Sequence, residues 1–182
     1  ITAEGAAFMA GVLSELPALL AIGAPSPISY ARLVPSVWAG AYACWGRETR
    51  ESAIRFVTGM TGSEERAANF EVKSFDASAN PYLVAGAVAA AGLAGLEAQS
   101  PLPPEITGDP DTWPEAEREA RGVRRLPVSL TDAVEHLERS RVLGDALGKP
   151  LLDTFLTVRR AEIAHAAQQS PEAVVAGARW LH

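Results

Sequence analysis

Four arginines, Arg32, Arg47, Arg50 and Arg55, fall within 24 residues of one another in a stretch that is otherwise apolar and aromatic. Glu71 and Lys73 follow downstream. A guanidinium is a planar fork that donates paired hydrogen bonds to carboxylates and phosphates, and it stays charged at physiological pH. A carboxylate beside such forks could place an acidic ligand near the same surface. By type and spacing alone, the set describes a site for an anion with a divalent cation. It equally describes salt-bridged strand residues facing solvent. The elements that carry these side chains decide between the two.

Residues 52–57 read as a strand, with Ile54 and Phe56 on one face and Arg55 on the other. Residues 69–75 alternate in the same way. Phe70 and Val72 share one face, and Glu71 and Lys73 share the opposite one, about 7 Å apart along the strand. A polar turn over 59–67 joins the two. Upstream, Phe8, Val12, Leu13, Leu16, Leu19 and Leu20 recur at helical spacing until Gly23, Pro25 and Pro27 stop the helix. Glu15 and Pro17 interrupt its apolar run and no basic segment precedes it, so it reads as a buried helix rather than a signal or a membrane span. Residues 28–43 suit a loop leading into a strand.

Asn80-Pro81 opens an alanine-rich helix over 80–97, with Asn80 as N-cap and Pro81 in the first helical position. Pro101, Pro103, Pro104, Pro110 and Pro114 leave residues 101–125 as a proline-rich loop. Three helices are expected beyond it: one from Leu130 to about Ser140 with Thr131 as cap, one from Gly148 to about Gln169, and a last one opened by Ser170-Pro171-Glu172. The chain is thus an α+β unit. Strands, site loop and core helices occupy 1–100, and helices occupy 126–182.

With 182 residues and a formal net charge of −6, the chain supports one sizeable core and disfavours non-specific nucleic-acid binding. Cys44 is the single cysteine, so no disulfide forms within the chain, and a reducing, cytoplasmic setting is expected. It reads as a small buried hydrophobe, and Tyr42 and Trp45 as residues that pack the sheet. His136, His165 and His182 have no ligand-like spacing. The chain starts at Ile1 and enters its first helix almost at once, from which we expect a piece of a longer protein.

The order of the residues adds a resemblance. Ser29-Tyr30-Ala31-Arg32-Leu33-Val34-Pro35 is similar to the Asn-Ser-Tyr-Lys-Arg-Leu-Val-Pro segment of glutamine synthetases. Trp45 to Arg55 resembles the arginine-containing strand pair of that family, and Asn69 to Asp76 followed by Ala79-Asn80-Pro81-Tyr82-Leu83 resembles its glutamate-bearing strand and helix start. Leu126 to Leu130, Leu143 to Gly148 and Val158 to Glu162 fit in the same order. The resemblance implies the later antiparallel strands of the family's catalytic sheet, packed on a helix-rich C-terminal half. It also implies roles: Arg32 for the carboxylate of a glutamate-like substrate, Arg50 as the catalytic arginine at the ATP phosphates and the γ-glutamyl phosphate, Arg55 and Lys73 at the phosphates, and Glu71 as a ligand of Mg2+ or Mn2+. ATP is the implied nucleotide, and a ring-shaped homo-oligomer the implied assembly of the full-length protein, with neither nucleic acid nor membrane as partner.

Four positions depart from the family pattern. Trp38 stands where ammonia-using members have an acid; an indole offers an apolar face for a cation or an aliphatic stem and has no basic site. Lys73 and Asn69 replace arginines, and Ile28 replaces asparagine. Trp38 therefore points to ligation of a larger amine to the γ-carboxylate of glutamate, through an acyl phosphate. The alternatives are an ammonia-using glutamine synthetase and a non-catalytic relative serving as sensor or assembly module. The family's other metal ligands precede this segment, so the chain alone is expected to be inactive.

Overall fold

A computed structural model describes residues 1–179; His182 lies outside them. The core is built on α1 (Ala3–Gly23), whose start is fixed by Thr2: its hydroxyl accepts the Gly5 N–H at 3.0 Å and caps the helix. Pro17 sits inside this helix without ending it. Val12, Leu16, Leu19 and Leu20 are fully enclosed, and their burial outweighs the lost backbone bond. The helix is long and apolar enough to cross a membrane by composition, but 67% of its most apolar window is packed inside the protein.

Within the segment read as a loop, residues 29–32 form a short helix, α2 (Ser29–Arg32). The buried Tyr30 ring anchors it, with its hydroxyl donating to Leu20 O at 3.4 Å. A turn-rich loop then leads to β1 (Tyr42–Arg47), and the 48–51 connection leads to β2 (Ser52–Val57). The polar turn contains the single-turn α3 (Glu64–Ala67), and β3 (Asn69–Val72) follows. The helix expected from Asn80-Pro81 is α4 (Pro81–Glu97), whose first two free N–H groups, from Tyr82 and Leu83, go to the Asn80 side chain.

α1 and α4 form the largest helix–helix contact, and glycines permit it. A Cβ on Gly11 would lie 2.2 Å from Ala91 O, and one on Gly95 would lie 2.3 Å from Ala7 O. The two backbones touch where side chains would hold them apart.

Residues 101–125 are less irregular than their prolines imply. A 3₁₀ turn at Pro110–Thr112, α5 (Glu115–Ala120) and β4 (Arg124–Arg125) lie within them. Pro114 precedes the first turn of α5, where a missing N–H costs nothing, and Glu115 and Glu117 favour the helix N-terminus. Next comes α6 (Leu130–Arg139), capped by Ser129, whose hydroxyl accepts the Asp132 N–H at 3.1 Å. Thr131, expected as the cap, already lies inside the helix. Then follow α7 (Arg141–Leu147), α8 (Lys149–Ala166) and α9 (Pro171–Ala178). Arg159 ties α8 to the end of α1 by donating to Pro25 O at 2.7 Å.

The four strands run in the order β3-β2-β1-β4. β2–β3 is antiparallel as expected, and β1 also pairs antiparallel with β4, in a segment read as loop, whereas β1 and β2 pair in parallel, with a bulge between Tyr42 and Trp45. Parallel neighbours normally need a long crossover. Here four residues suffice because Arg47 lies opposite Phe56, so the return to Ser52 covers only four residues of β2, about 13 Å, within the reach of about 18 Å that the five Cα–Cα links from Arg47 to Ser52 allow. Trp45 and Ile54 face α1 in the main core, while Tyr42 and Cys44 pack with Ile106 and Val123 under the proline-rich segment. The Trp45 indole N–H donates to Pro103 O at 2.7 Å, and burial pushes the Cys44 thiol up to about 12.

Candidate active site

Register explains the first grouping. Arg55 on β2 lies directly opposite Glu71 on β3, so their side chains share a face. Arg55 Nη1 is 3.6 Å from Glu71 Oε2, and Lys73 Nζ, two residues along on the same face, is 3.8 Å from Glu71 Oε1. Lys73 is mostly enclosed, with 12% of its side chain exposed, while Glu71 is about half exposed. A guanidinium, a carboxylate and an ammonium thus form one row.

Sequence reasoning passed over a fourth member of that row. Glu48, in left-handed backbone at φ 53°, accepts the Thr58 N–H at 2.8 Å, the Thr58 hydroxyl at 2.9 Å and Arg55 Nη2 at 3.1 Å. Glu48 closes the ends of the β1–β2 unit and aims Arg55 at Glu71. Its neighbours are scattered in sequence, so no spacing marked it. The Thr58 N–H, then Arg55 and the Thr58 hydroxyl, hold its carboxyl below the usual carboxylate value of 4.5. A group depressed on folding contributes stability that is complete above its unfolded pKa and lost as pH falls through its folded one. The wild-type protein should therefore lose part of its stability as pH drops below about 4.5. In Glu48→Gln that part of the slope should be missing, as urea melts between pH 3 and 7 would register.

The second grouping lies beside the first. The Arg50 guanidinium sits over the Trp38 ring, 5.3 Å from its centroid, and the indole is 61% exposed. Glu51, next in the chain, lies within the field of Lys73, Asp109 and Asp111. Burial first, then Asp109, raises its carboxyl above the usual value, while the Trp38 N–H and Lys73 oppose the rise. Arg32 stands at the edge of the same surface. Its Nη2 donates to Ser74 O at 3.0 Å and to Phe75 O at 3.1 Å, and its Nη1 reaches Lys73 O at 3.5 Å.

The expected residues therefore do not all meet. Arg55, Glu71 and Lys73 touch one another, Arg50 is joined to Trp38, and Arg32 meets the group through the backbone after Lys73. Arg47 leaves it altogether, drawn 3.3 Å from Glu105 in the proline-rich segment. His136 and His165 are exposed helix residues.

A divalent cation would find one suitable ligand here. Glu71 is accessible, and its contact with Arg55 is longer than the hydrogen bond by which Glu48 holds that guanidinium, so its carboxylate is free to turn. Among the described residues no three histidine, cysteine or acidic side chains gather as a metal site. Glu71 fits as one member of a shell that other residues would complete.

Residues 1–175 match the glutamine synthetase catalytic domain. The chain is 52% identical, over all 182 residues, to the gamma-glutamylpolyamine synthetase GlnA3 of Streptomyces coelicolor, and covers 39% of that protein. It is 40% identical over 157 residues to the glutamine synthetase of Halobacterium salinarum, aligning 86% of this chain with 34% of that one. Among solved structures, a glutamine synthase homolog superposes with a TM-score of 0.77 at 36% identity, covering 93% of this chain and 37% of its own. A GmaS–ADP complex does so at 0.78 and 29% identity, covering 94% and 38%. The chain spans less than two fifths of the length of these relatives. Motif order, fold and these likenesses agree: the chain belongs to the glutamine synthetase family of carbon–nitrogen ligases.

Proposed function

We propose that this chain supplies the later part of the catalytic site of an ATP-dependent ligase that joins an amine larger than ammonia to the γ-carboxylate of glutamate. The observation that carries the reading is the row Glu48–Arg55–Glu71–Lys73 beside an exposed indole where the family's ammonia-using members have an acid. The name of the Streptomyces coelicolor relative supports the amine class.

In this reading a γ-carboxylate oxygen of glutamate attacks the γ-phosphorus of ATP, the bond to the β-phosphate oxygen breaks, and ADP leaves. The amine nitrogen then attacks the acyl carbon, the carbon–oxygen bond to phosphate breaks, and the nitrogen gives up its extra proton to solvent. A divalent cation bound with the nucleotide would neutralise phosphate charge, and Glu71 would supply one of its oxygen ligands. Arg55 and Lys73 hold positive charge against the transferring phosphoryl group, a positioning and electrostatic task. Arg50 would add positive charge at the same anion, and Arg32, held by the carbonyls of Ser74 and Phe75, would meet the substrate carboxylate with its remaining donors. The indole of Trp38 receives the aliphatic stem or a second ammonium of the amine. The Arg50 guanidinium takes one face of the ring, so in this reading the amine lies against the rest of the exposed indole.

The full-length protein containing this chain should turn over ATP with glutamate and diamines or polyamines, and the 182-residue chain alone should not, because one carboxylate cannot hold the cations that three phosphates require. Initial rates of phosphate release over a panel of ammonia, a monoamine, diamines and polyamines test this. Ammonia used with the best efficiency of the panel would defeat the use made of Trp38. Turnover by the isolated chain would defeat the shared site.

A further inference from the structure

Trp38 rides on residues 33–41, a loop whose backbone is unfavourable for its sequence. Ser36 at φ 58° and Trp38 at φ 61° are both left-handed without being glycine. Such a conformation persists only where the surroundings hold it. One side chain gathers both ends of this loop: Arg125 donates from Nη2 to Leu33 O and from Nη1 to Ala41 O, each at 2.5 Å. Its own backbone is fixed opposite Tyr42 in the β1–β4 pair, and the neighbouring Leu126 N–H donates to the same Ala41 O at 3.0 Å. The guanidinium also lies 5.5 Å from the Tyr42 ring centroid, and the Tyr42 hydroxyl donates to Asp111 at 2.6 Å. The middle of the loop is tied down separately, by the Ser36 hydroxyl donating to Asp109 at 2.6 Å.

We propose that Arg125 is a positioning residue: by clamping Leu33 and Ala41 to one fork it fixes the strained loop that presents Trp38, and so sets the affinity for the amine. The inference rests on the functional reading above, and it assigns to β4 a part in selectivity although Arg125 touches no substrate. The fork is essential to it. A lysine ammonium at this position carries the same charge but cannot satisfy two carbonyls on opposite sides of a loop with fixed geometry. Loss of the clamp leaves the phosphate row intact, because Arg55 and Glu71 are held by the β2–β3 pair and the Lys73 N–H donates to Ala53 O at 2.9 Å.

The test uses the full-length protein with Arg125→Met and Arg125→Lys. Steady-state kinetics would give separate KM values for amine and ATP, and hydrogen exchange would follow the amides of 33–41. In Arg125→Met the amine KM should rise about tenfold with the ATP KM changed less than about twofold, and exchange at 33–41 should quicken. Arg125→Lys should fall between, and carries the test where the methionine variant does not fold. Unchanged exchange in either folded variant overturns the clamp. Amine and ATP KM rising together, or kcat falling at constant amine KM, overturns the link to amine affinity. A wild-type protein that ligates no amine sinks the functional reading instead, while exchange at 33–41 still decides whether Arg125 clamps the loop.

Discussion

Gly95→Ala is expected to destabilise the protein by about 3 kcal/mol, lowering the midpoint of thermal unfolding by about 10 °C. A methyl at this position would lie 2.3 Å from Ala7 O and 2.7 Å from Gly11 Cα, atoms of a facing backbone that has no rotamer to change. The response has to be a separation of α1 from α4, and that opens the contact on which the core rests, with Phe8 against Gly92 losing its seat alongside. Gly86, on the same helix, provides the control. It is exposed and nothing lies within 4 Å of its would-be Cβ, so Gly86→Ala should gain up to about 1 kcal/mol from helix propensity alone. Thermal melts of the two variants side by side decide the matter. Equal shifts would show that the close approach at Gly95 carries no stability.

The contrast between those two glycines also marks how far sequence reaches here. A glycine in an alanine-rich helix looks the same at 86 and at 95; only the crossing partner distinguishes them, and that partner lies some 80 residues away in the chain. Where a signal is local, the chain states it openly. Asn80-Pro81 begins α4 as its chemistry dictates, and alternation over 52–57 and 69–72 is enough to put Arg55 and Glu71 each on the polar side of its strand. Cap assignment at α6 failed because Ser129 and Thr131 are equivalent by type, and only the backbone geometry selects the serine. The parallel pairing of β1 with β2 was hidden for a different reason: a four-residue connection is the ordinary mark of a hairpin, and nothing in the letters says that it is stretched. Glu48, Asp109 and Asp111 were missed because their partners, Thr58, Ser36 and Tyr42, come together only through the fold. The resemblance located Arg32 and Arg50, but their contacts, with the carbonyls of 73–75 and with the Trp38 ring, are features that only coordinates provide.

The larger effect on activity is expected at Arg55. Its guanidinium has five N–H donors. One is engaged by Glu48 in a hydrogen bond, Glu71 lies at ion-pair distance from Nη1, and Nε is buried without a partner among the described residues, which leaves the remaining Nη hydrogens, on a side chain 24% exposed, as the donors a ligand can reach. The fork therefore keeps hydrogen-bonding capacity for a third acceptor, as a phosphate oxygen gathering charge would require. Two carboxylates beside one arginine and one lysine make the row nearly neutral before ligand arrives. In the proposed reading, a cation that drew Glu71 away from Arg55 would favour an incoming anion, and the two ligands would be coupled. Arg55→Lys keeps the charge and loses the fork; Arg55→Met loses both. In the full-length protein, kcat/KM for ATP should fall about 10²-fold in the lysine variant and about 10³-fold in the methionine variant. Stability should change by no more than about 1 kcal/mol, because the ion pairs it makes are partly solvated. The KM for the amine should stay near the wild-type value, since Trp38 lies on a different loop, held by Arg125. Initial-rate kinetics with ATP and amine varied independently, alongside a thermal melt, separate these effects. Near-normal ATP turnover in Arg55→Met would leave the β2–β3 row a surface ion-pair network and move the phosphate site elsewhere.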